Sequence, residues 1–238
     1  MPEIFFDPQT YLSFLLLTSL EIVLGVDNIL FISIVVSRLP KHKRKLARRL
    51  GLFMALFGRI ALLFSLNFVM SLTKPLIQIL DFSFSGRDLV LGLGGLFLLY
   101  KATQEIFFHL EEAKNMQEEV VKTISMTQAI LQILVLDLVF SLDSIITALG
   151  LVKHVNIMVV AIIIAVLIML FFAELISNFL DAHPSMKVLG LAFLLLVGVL
   201  LVAEAFGHHV PKGYVYFALA FSLCVEIINI KYKKNTQK

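Results

Sequence analysis

EIVLGVDNI at residues 21–29 returns as DLVFSLDSI at residues 137–145, 116 positions later. Three of the nine positions are identical and the others are conservative exchanges. Both copies read acid, apolar, Val, apolar, small, apolar, Asp, small polar, Ile. Apolar similarity is cheap among hydrophobic helices. Two carboxylates at one spacing, each second acid followed by a small polar residue, are far harder to obtain by chance, so the pair is read as a duplication. A weaker echo links VLGLGGLFLLYK from residue 90 with VLGLAFLLLVGV from residue 188.

Both copies lie inside long apolar segments. Of the 238 residues, 59% are hydrophobic and only 16% are charged, against about 25% charged in soluble domains. That balance excludes disorder and a fibrous repeat, and it argues against a nucleic-acid partner. Segments of about 20 apolar residues are long enough to cross a bilayer as helices. Seven are expected, at 10–37, 46–72, 88–108, 126–150, 155–180, 186–207 and 213–231. In lipid each peptide group needs an internal partner, so helices are required; a barrel would show alternating segments about 10 residues long.

The fold class that follows is all-α, a polytopic membrane protein forming one transmembrane domain over residues 1–238. The two motifs open the first and fourth spans, three crossings apart, so the second copy enters the bilayer from the opposite face. The arrangement is a 3+3 inverted repeat: repeat one over 10–108, a linker over 109–125, repeat two over 126–207, and an additional helix at 213–231. The acidic start MPEIFFDPQ and the long first apolar run argue against a cleaved signal peptide.

Basic residues set the orientation. Arg38, Lys41, Lys43, Arg44, Lys45, Arg48 and Arg49 crowd the first loop, and Lys231, Lys233, Lys234 and Lys238 crowd the tail. Seven spans put both on one side, with Lys114, Lys122 and Lys187. Lys74, Arg87, Lys153 and Lys212 fall opposite. The expected topology has the amino terminus outside and the carboxyl terminus in the cytoplasm.

Each carboxylate near the centre of a spanning helix costs roughly 2.5–3.5 kcal/mol on insertion scales. Glu21, Asp27, Asp137 and Asp143 must therefore face water, a cation or a basic partner. Arg59 is the one basic residue expected deep in a span, which leaves negative charge for a bound cation or protons to balance. Six residues of helix rotate the chain by about 600°, placing the two acids of each copy about 120° apart. Gly25 and Ser141 lie between them. The spacing predicts that the first and fourth spans bend or break there, gathering Glu21, Asp27, Asn28, Asp137, Asp143 and Ser144 near the midplane as metal ligands. Carboxylate, amide and hydroxyl oxygens suit the hard cations Mn²⁺, Mg²⁺ and Ca²⁺.

Other features take plainer readings. Gly92, Gly94 and Gly95 follow no strand and read as close helix packing. His208 and His209 read as solvated loop residues. Arg59 and Glu174, one position out of register under the same offset, read equally as an ion pair or a gate. Glu226 and Asn229 read as a packing pair. Cys224, the single cysteine, reads as a small buried hydrophobe.

EIVLGVDNILFIS from Glu21, GRDLVLGLGGLFLLYKAT from Gly86 and DLVFSLDSIITALG from Asp137 resemble the TerC family of integral membrane proteins over nearly the whole chain. The nearest resemblance is to the short bacterial members without appended soluble domains. It implies a multi-pass protein of the bacterial inner membrane and export of manganese. The expected function is thus a secondary transporter rather than an enzyme. A divalent cation, Mn²⁺ before Ca²⁺ or Mg²⁺, is its cargo, protons are its coupling ion, and no cofactor is tightly bound. Two other classes compete: a non-transporting accessory protein of metal homeostasis, and an intramembrane aspartyl protease, which also needs facing Asp residues. Oligomeric state is not readable from the chain.

Overall fold

A computed structural model describes residues 8–79, 82–114, 124–151 and 155–236. The elements in order are α1 (Pro8–Ser37), α2 (Lys41–Phe64), α3 (Leu66–Ser71), β1 (Pro75–Ile79), β2 (Phe82–Ser85), α4 (Gly86–Lys114), α5 (Met126–Leu151), α6 (Val155–Ala182), α7 (Pro184–Ala205) and α8 (Lys212–Thr236).

Six of these helices are long and apolar enough to cross a membrane: α1, α4, α5, α6, α7 and α8. The expected second span, 46–72, is redrawn. Helix α2 starts earlier, at Lys41 after Pro40, and stops at Phe64, where Ser65 turns the chain into the separate α3. Its basic first turns, together with Arg48, Arg49 and Arg59, keep α2 less apolar than the other six. Arg44 closes the turn before it, donating from Nε to the Leu39 carbonyl and from Nη2 to that of Ser37, at 2.9 and 2.6 Å.

The expected loop at 73–87 contains a hairpin. Strands β1 and β2 pair antiparallel, with a register irregularity between Pro75 and Ile77. Ser85 then starts α4 through a capping box. The Ser85 amide donates to Asp88 Oδ2 at 2.8 Å, and the Asp88 amide donates back to Ser85 Oγ at 3.2 Å. A Cβ on Gly86 would come within 2.8 Å of Leu72 Cδ2. The missing side chain thus lets the hairpin fold against the end of α3, where the Arg87 amide donates to the Leu72 carbonyl at 3.0 Å. The same box recurs at Ser125 and Gln128 before α5. Of the expected linker, 109–114 extends α4 and 115–123 lies outside the described residues.

The elements form two compact units. The first holds α1, α2, α3, the hairpin, the opening turn of α4, α5 and most of α6; the second holds the rest of α4, the end of α6, α7 and α8. In the first unit α5 packs against both α1 and α2. Leu17, Ile34, Leu63, Ile133, Leu136 and Ile145 are among its fully buried side chains. In the second, Gly95 and Gly198 bring α4 and α7 into backbone contact: a Cβ on Gly95 would lie 2.8 Å from the Gly198 carbonyl oxygen. That is the close packing expected of the glycine-rich stretch. Helix α7 ends in a Schellman turn through Gly207 at φ 79°, with the His208 amide donating to the Ala203 carbonyl. Cys224 is exposed rather than buried, because α8 packs on α7 and leaves its far side open.

Candidate functional site

All six residues of the duplicated motif are buried, none more than 6% exposed, on α1 and α5 of the first unit. The expected breaks are absent. Both helices run unbroken through the motif. At Gly25 the missing side chain makes room for Met169 of α6. Ser141 Oγ donates to Asp137 Oδ2, one turn back on the same helix, at 3.2 Å. Neither residue is needed as a hinge, because a long side chain from α2 spans the gap between the acids.

That side chain is Arg59, 3% exposed. Its Nη1 donates to Glu21 Oε2 at 2.7 Å, and its Nη2 and Nε donate to Asp137 Oδ1 at 2.9 and 3.2 Å. Asn28 Nδ2 donates to the same Asp137 oxygen at 3.0 Å. Three helices therefore meet in one buried polar knot, in which a guanidinium joins the leading acids of the two repeats. Charge-assisted hydrogen bonds of this kind are stronger than neutral ones, and in a low-dielectric surrounding an uncompensated carboxylate would be severely penalised. Arg59 does not pair with Glu174, which instead meets Lys45 at 3.1 Å in an exposed ion pair.

Of the second acids of the motif, Asp143 is reached by a different arginine. Asp143 Oδ1 accepts from Arg87 Nη2 at 2.6 Å. Arg87 falls in a stretch that reads as a loop; the hairpin and the capping box carry it to the second position of α4, where it reaches a carboxylate buried on α5. Asp27 is likewise buried. Ser144 turns its hydroxyl to the Ser141 carbonyl, 3.3 Å away on its own helix, and neighbours Glu21. Among the described residues no three His, Cys, Asp or Glu side chains gather as a ready-made metal cage. The motif residues are brought into one unit, where Arg59 holds Glu21 and Asp137 and Arg87 holds Asp143.

Two further charges escape a reading of the sequence. Arg48 is buried, its Nη2 donating to Ser177 Oγ of α6 at 2.8 Å. Glu105 is buried on α4. Counting back three helical turns from Arg59 reaches Arg48 on the same face of α2, which is the signal that finds it. Glu226 and Asn229 form an exposed pair within α8, Asn229 Nδ2 donating to Glu226 Oε2 at 3.2 Å.

The chain is similar to UPF0053 inner membrane protein YgdQ of Escherichia coli strain K12, with 52% identity over 232 residues covering 96% of each. It is similar to a UPF0053 protein of Haemophilus influenzae, with 48% identity over 228 residues and 96% of each covered. UPF0053 inner membrane protein YoaE of E. coli is 45% identical over 233 residues, which make up 98% of this chain but 45% of YoaE. No solved structure matches. Residues 6–238 match the profile described as Integral membrane protein TerC family, and with relatives named as inner membrane proteins and six helices fit to cross a bilayer, the chain belongs to the TerC family of multi-pass membrane proteins.

Proposed function

We propose that the protein is a secondary transporter that exports a divalent metal cation, manganese first, by alternating access. The observation that supports this is a charge imbalance inside a helical unit. Glu21, Asp27, Asp137 and Asp143 are buried there; Arg59 pairs with Glu21 and Asp137 and Arg87 pairs with Asp143, two guanidiniums to three carboxylates. A dication is the natural balancing charge for surplus carboxylates in an apolar surrounding. Asn28 and Ser144 add neutral oxygens, which suit a hard ion.

In this reading Asp27 and Asp143 are the central ligands, and Glu21 and Asp137 assist binding or exchange protons with the ion. The arginines hold the acids between loading events, and the arriving ion competes with a guanidinium for the same oxygen. Flux of Mn²⁺ across sealed proteoliposomes is the test. The wild-type chain is expected to move the ion, and Asp27→Asn and Asp143→Asn are expected to lower the rate at least roughly a hundredfold, as losing a charged ligand from a desolvated site implies. Unchanged flux in both variants overturns the reading.

The arginine pairing itself favours a second reading, an accessory protein of metal homeostasis that binds the ion without moving it. Saturable binding to the purified chain with no flux identifies that case. An aspartyl protease fits less well, since Asp143 spends Oδ1 on Arg87 rather than on a second aspartate.

A further inference from the structure

A cavity of about 310 Å³ opens beside the hairpin, lined among others by Thr73, Ser83, Ser85, Arg87, Asp88 and Ile146. Its mouth is formed by the exposed Thr73 and Ser83, and its depth by Ser85, Arg87 and Asp88, which are buried or half-buried. Arg87 lines this cavity, yet its Nη2 reaches 2.6 Å from Asp143 Oδ1. The Asp143 side chain is 4% exposed against 15% for Arg87, so the guanidinium stands between the cavity and a buried acid of the duplicated motif. Ile146, three residues after Asp143 on α5, shares the cavity wall. The route from cavity to motif therefore runs along one face of α5, past the Arg87–Asp143 ion pair, with Asp88 Oδ1 also 4.0 Å from Arg87 Nη1.

We propose that Arg87 is a latch that closes an antechamber over Asp143. The antechamber takes a hydrated divalent cation. Hydroxyls of Thr73, Ser83 and Ser85 and the Asp88 carboxylate offer oxygens to an ion that still keeps part of its water. Asp88 is the acid of the lining and Asp143 lies behind Arg87, so withdrawal of the guanidinium uncovers negative charge, which favours a cation over an anion. The ion reaches Asp143 when the guanidinium leaves Oδ1, and the latch recloses when the ion departs. The position of Arg87 is not accidental to the hairpin: its amide is tied to the Leu72 carbonyl and the Ser85–Asp88 box fixes the turn of helix that carries it. The main chain is thus held, and motion of the latch is confined to the Arg87 side chain.

The nature of the cargo rests on the function proposed above; the latch is tested without any metal. In the full chain carrying Cys224→Ala, purified in detergent, Ile146→Cys and Leu142→Cys are exposed to a cationic methanethiosulfonate reagent and followed by intact mass. Leu142 is buried one turn deeper than Ile146 on α5. Ile146→Cys is expected to react readily, and Leu142→Cys slowly while Arg87 is present. Adding Arg87→Gln is expected to speed Leu142→Cys about tenfold or more, the change that losing a charge-assisted hydrogen bond implies, whereas Arg87→Lys restores slow reaction. An unreactive Ile146→Cys, or a Leu142→Cys rate indifferent to residue 87, overturns the proposal. Should Leu142→Cys misfold, amide hydrogen exchange over residues 139–146 in Arg87→Gln decides the same question: faster exchange supports the latch and unchanged exchange refutes it. Flux of Mn²⁺ is measured separately, so a chain that does not transport manganese yet shows the residue-87 dependence keeps its latch and loses only its cargo.

Discussion

Arg59 is a single side chain that satisfies two acids on two other helices, and its loss has a sign that chemistry fixes. Removing one partner of a buried ion pair leaves the other charge uncompensated and costs about 3–5 kcal/mol. Arg59→Gln is therefore expected to lower stability by about that amount, read as the unfolding midpoint in mixed micelles. Adding Glu21→Gln and Asp137→Asn together is expected to recover a large part of the loss, because the orphaned carboxylates are then neutral. A single variant as stable as the wild type, or a triple variant no better than the single, contradicts the role. At this scale the sequence was legible as to which acids the fold encloses, since carboxylates in an apolar run need an enclosed partner. It was not legible as to their partners. Arg87 stands in a stretch that reads as a loop, and only the hairpin and the Ser85–Asp88 box carry it to Asp143.

At the scale of the element, lipid made most helices readable. A hydrocarbon layer demands about 20 apolar residues per crossing, and α1, α5, α6, α7 and α8 fall close to the expected limits. The misreadings have local causes. The stretch from Pro75 to Ser85 is short, and part of it alternates apolar and polar residues, a strand signal drowned by its apolar neighbours. The predicted break at Gly25 assumed that a small residue between acids must be a hinge, whereas it admits Met169. Where α4 meets α7 the demand for small residues is quantitative. Gly198→Leu has no room, since a Cβ there already lies 2.9 Å from Leu99 Cγ and 3.1 Å from the Gly95 carbonyl oxygen. Overpacking of this kind costs about 1–3 kcal/mol, and thermal unfolding in detergent should show it. Gly58→Leu, at a position with open space around the missing Cβ, is expected to change the midpoint little; equal effects of the two would refute the packing account.

At the scale of the whole molecule, each compact unit draws helices from both halves of the chain: α1 and α2 join α5 and α6 in one, and α4 joins α7 in the other. The distribution of basic residues makes a separate forecast about how the molecule sits in its membrane. A fluorescent protein fused after Lys238 is expected to light up, and alkaline phosphatase fused there to stay inactive, because basic residues favour the cytoplasmic side and the tail is rich in Lys. The reverse pattern would mean that the first-loop lysines and arginines do not govern insertion. Asp137 lies in the second half of the chain, while the guanidinium that answers it is supplied by the first half, and position 175, the counterpart of Arg59 under the 116-residue offset, is a leucine. The base that answers the second copy of the motif thus comes from the other half of the chain. Severed between α4 and α5 and synthesised as two polypeptides, the amino-terminal piece would strand an arginine with half its quota of acid and the carboxyl-terminal piece would strand an aspartate with none of its base, so each fragment would need the other in order to remain in the bilayer.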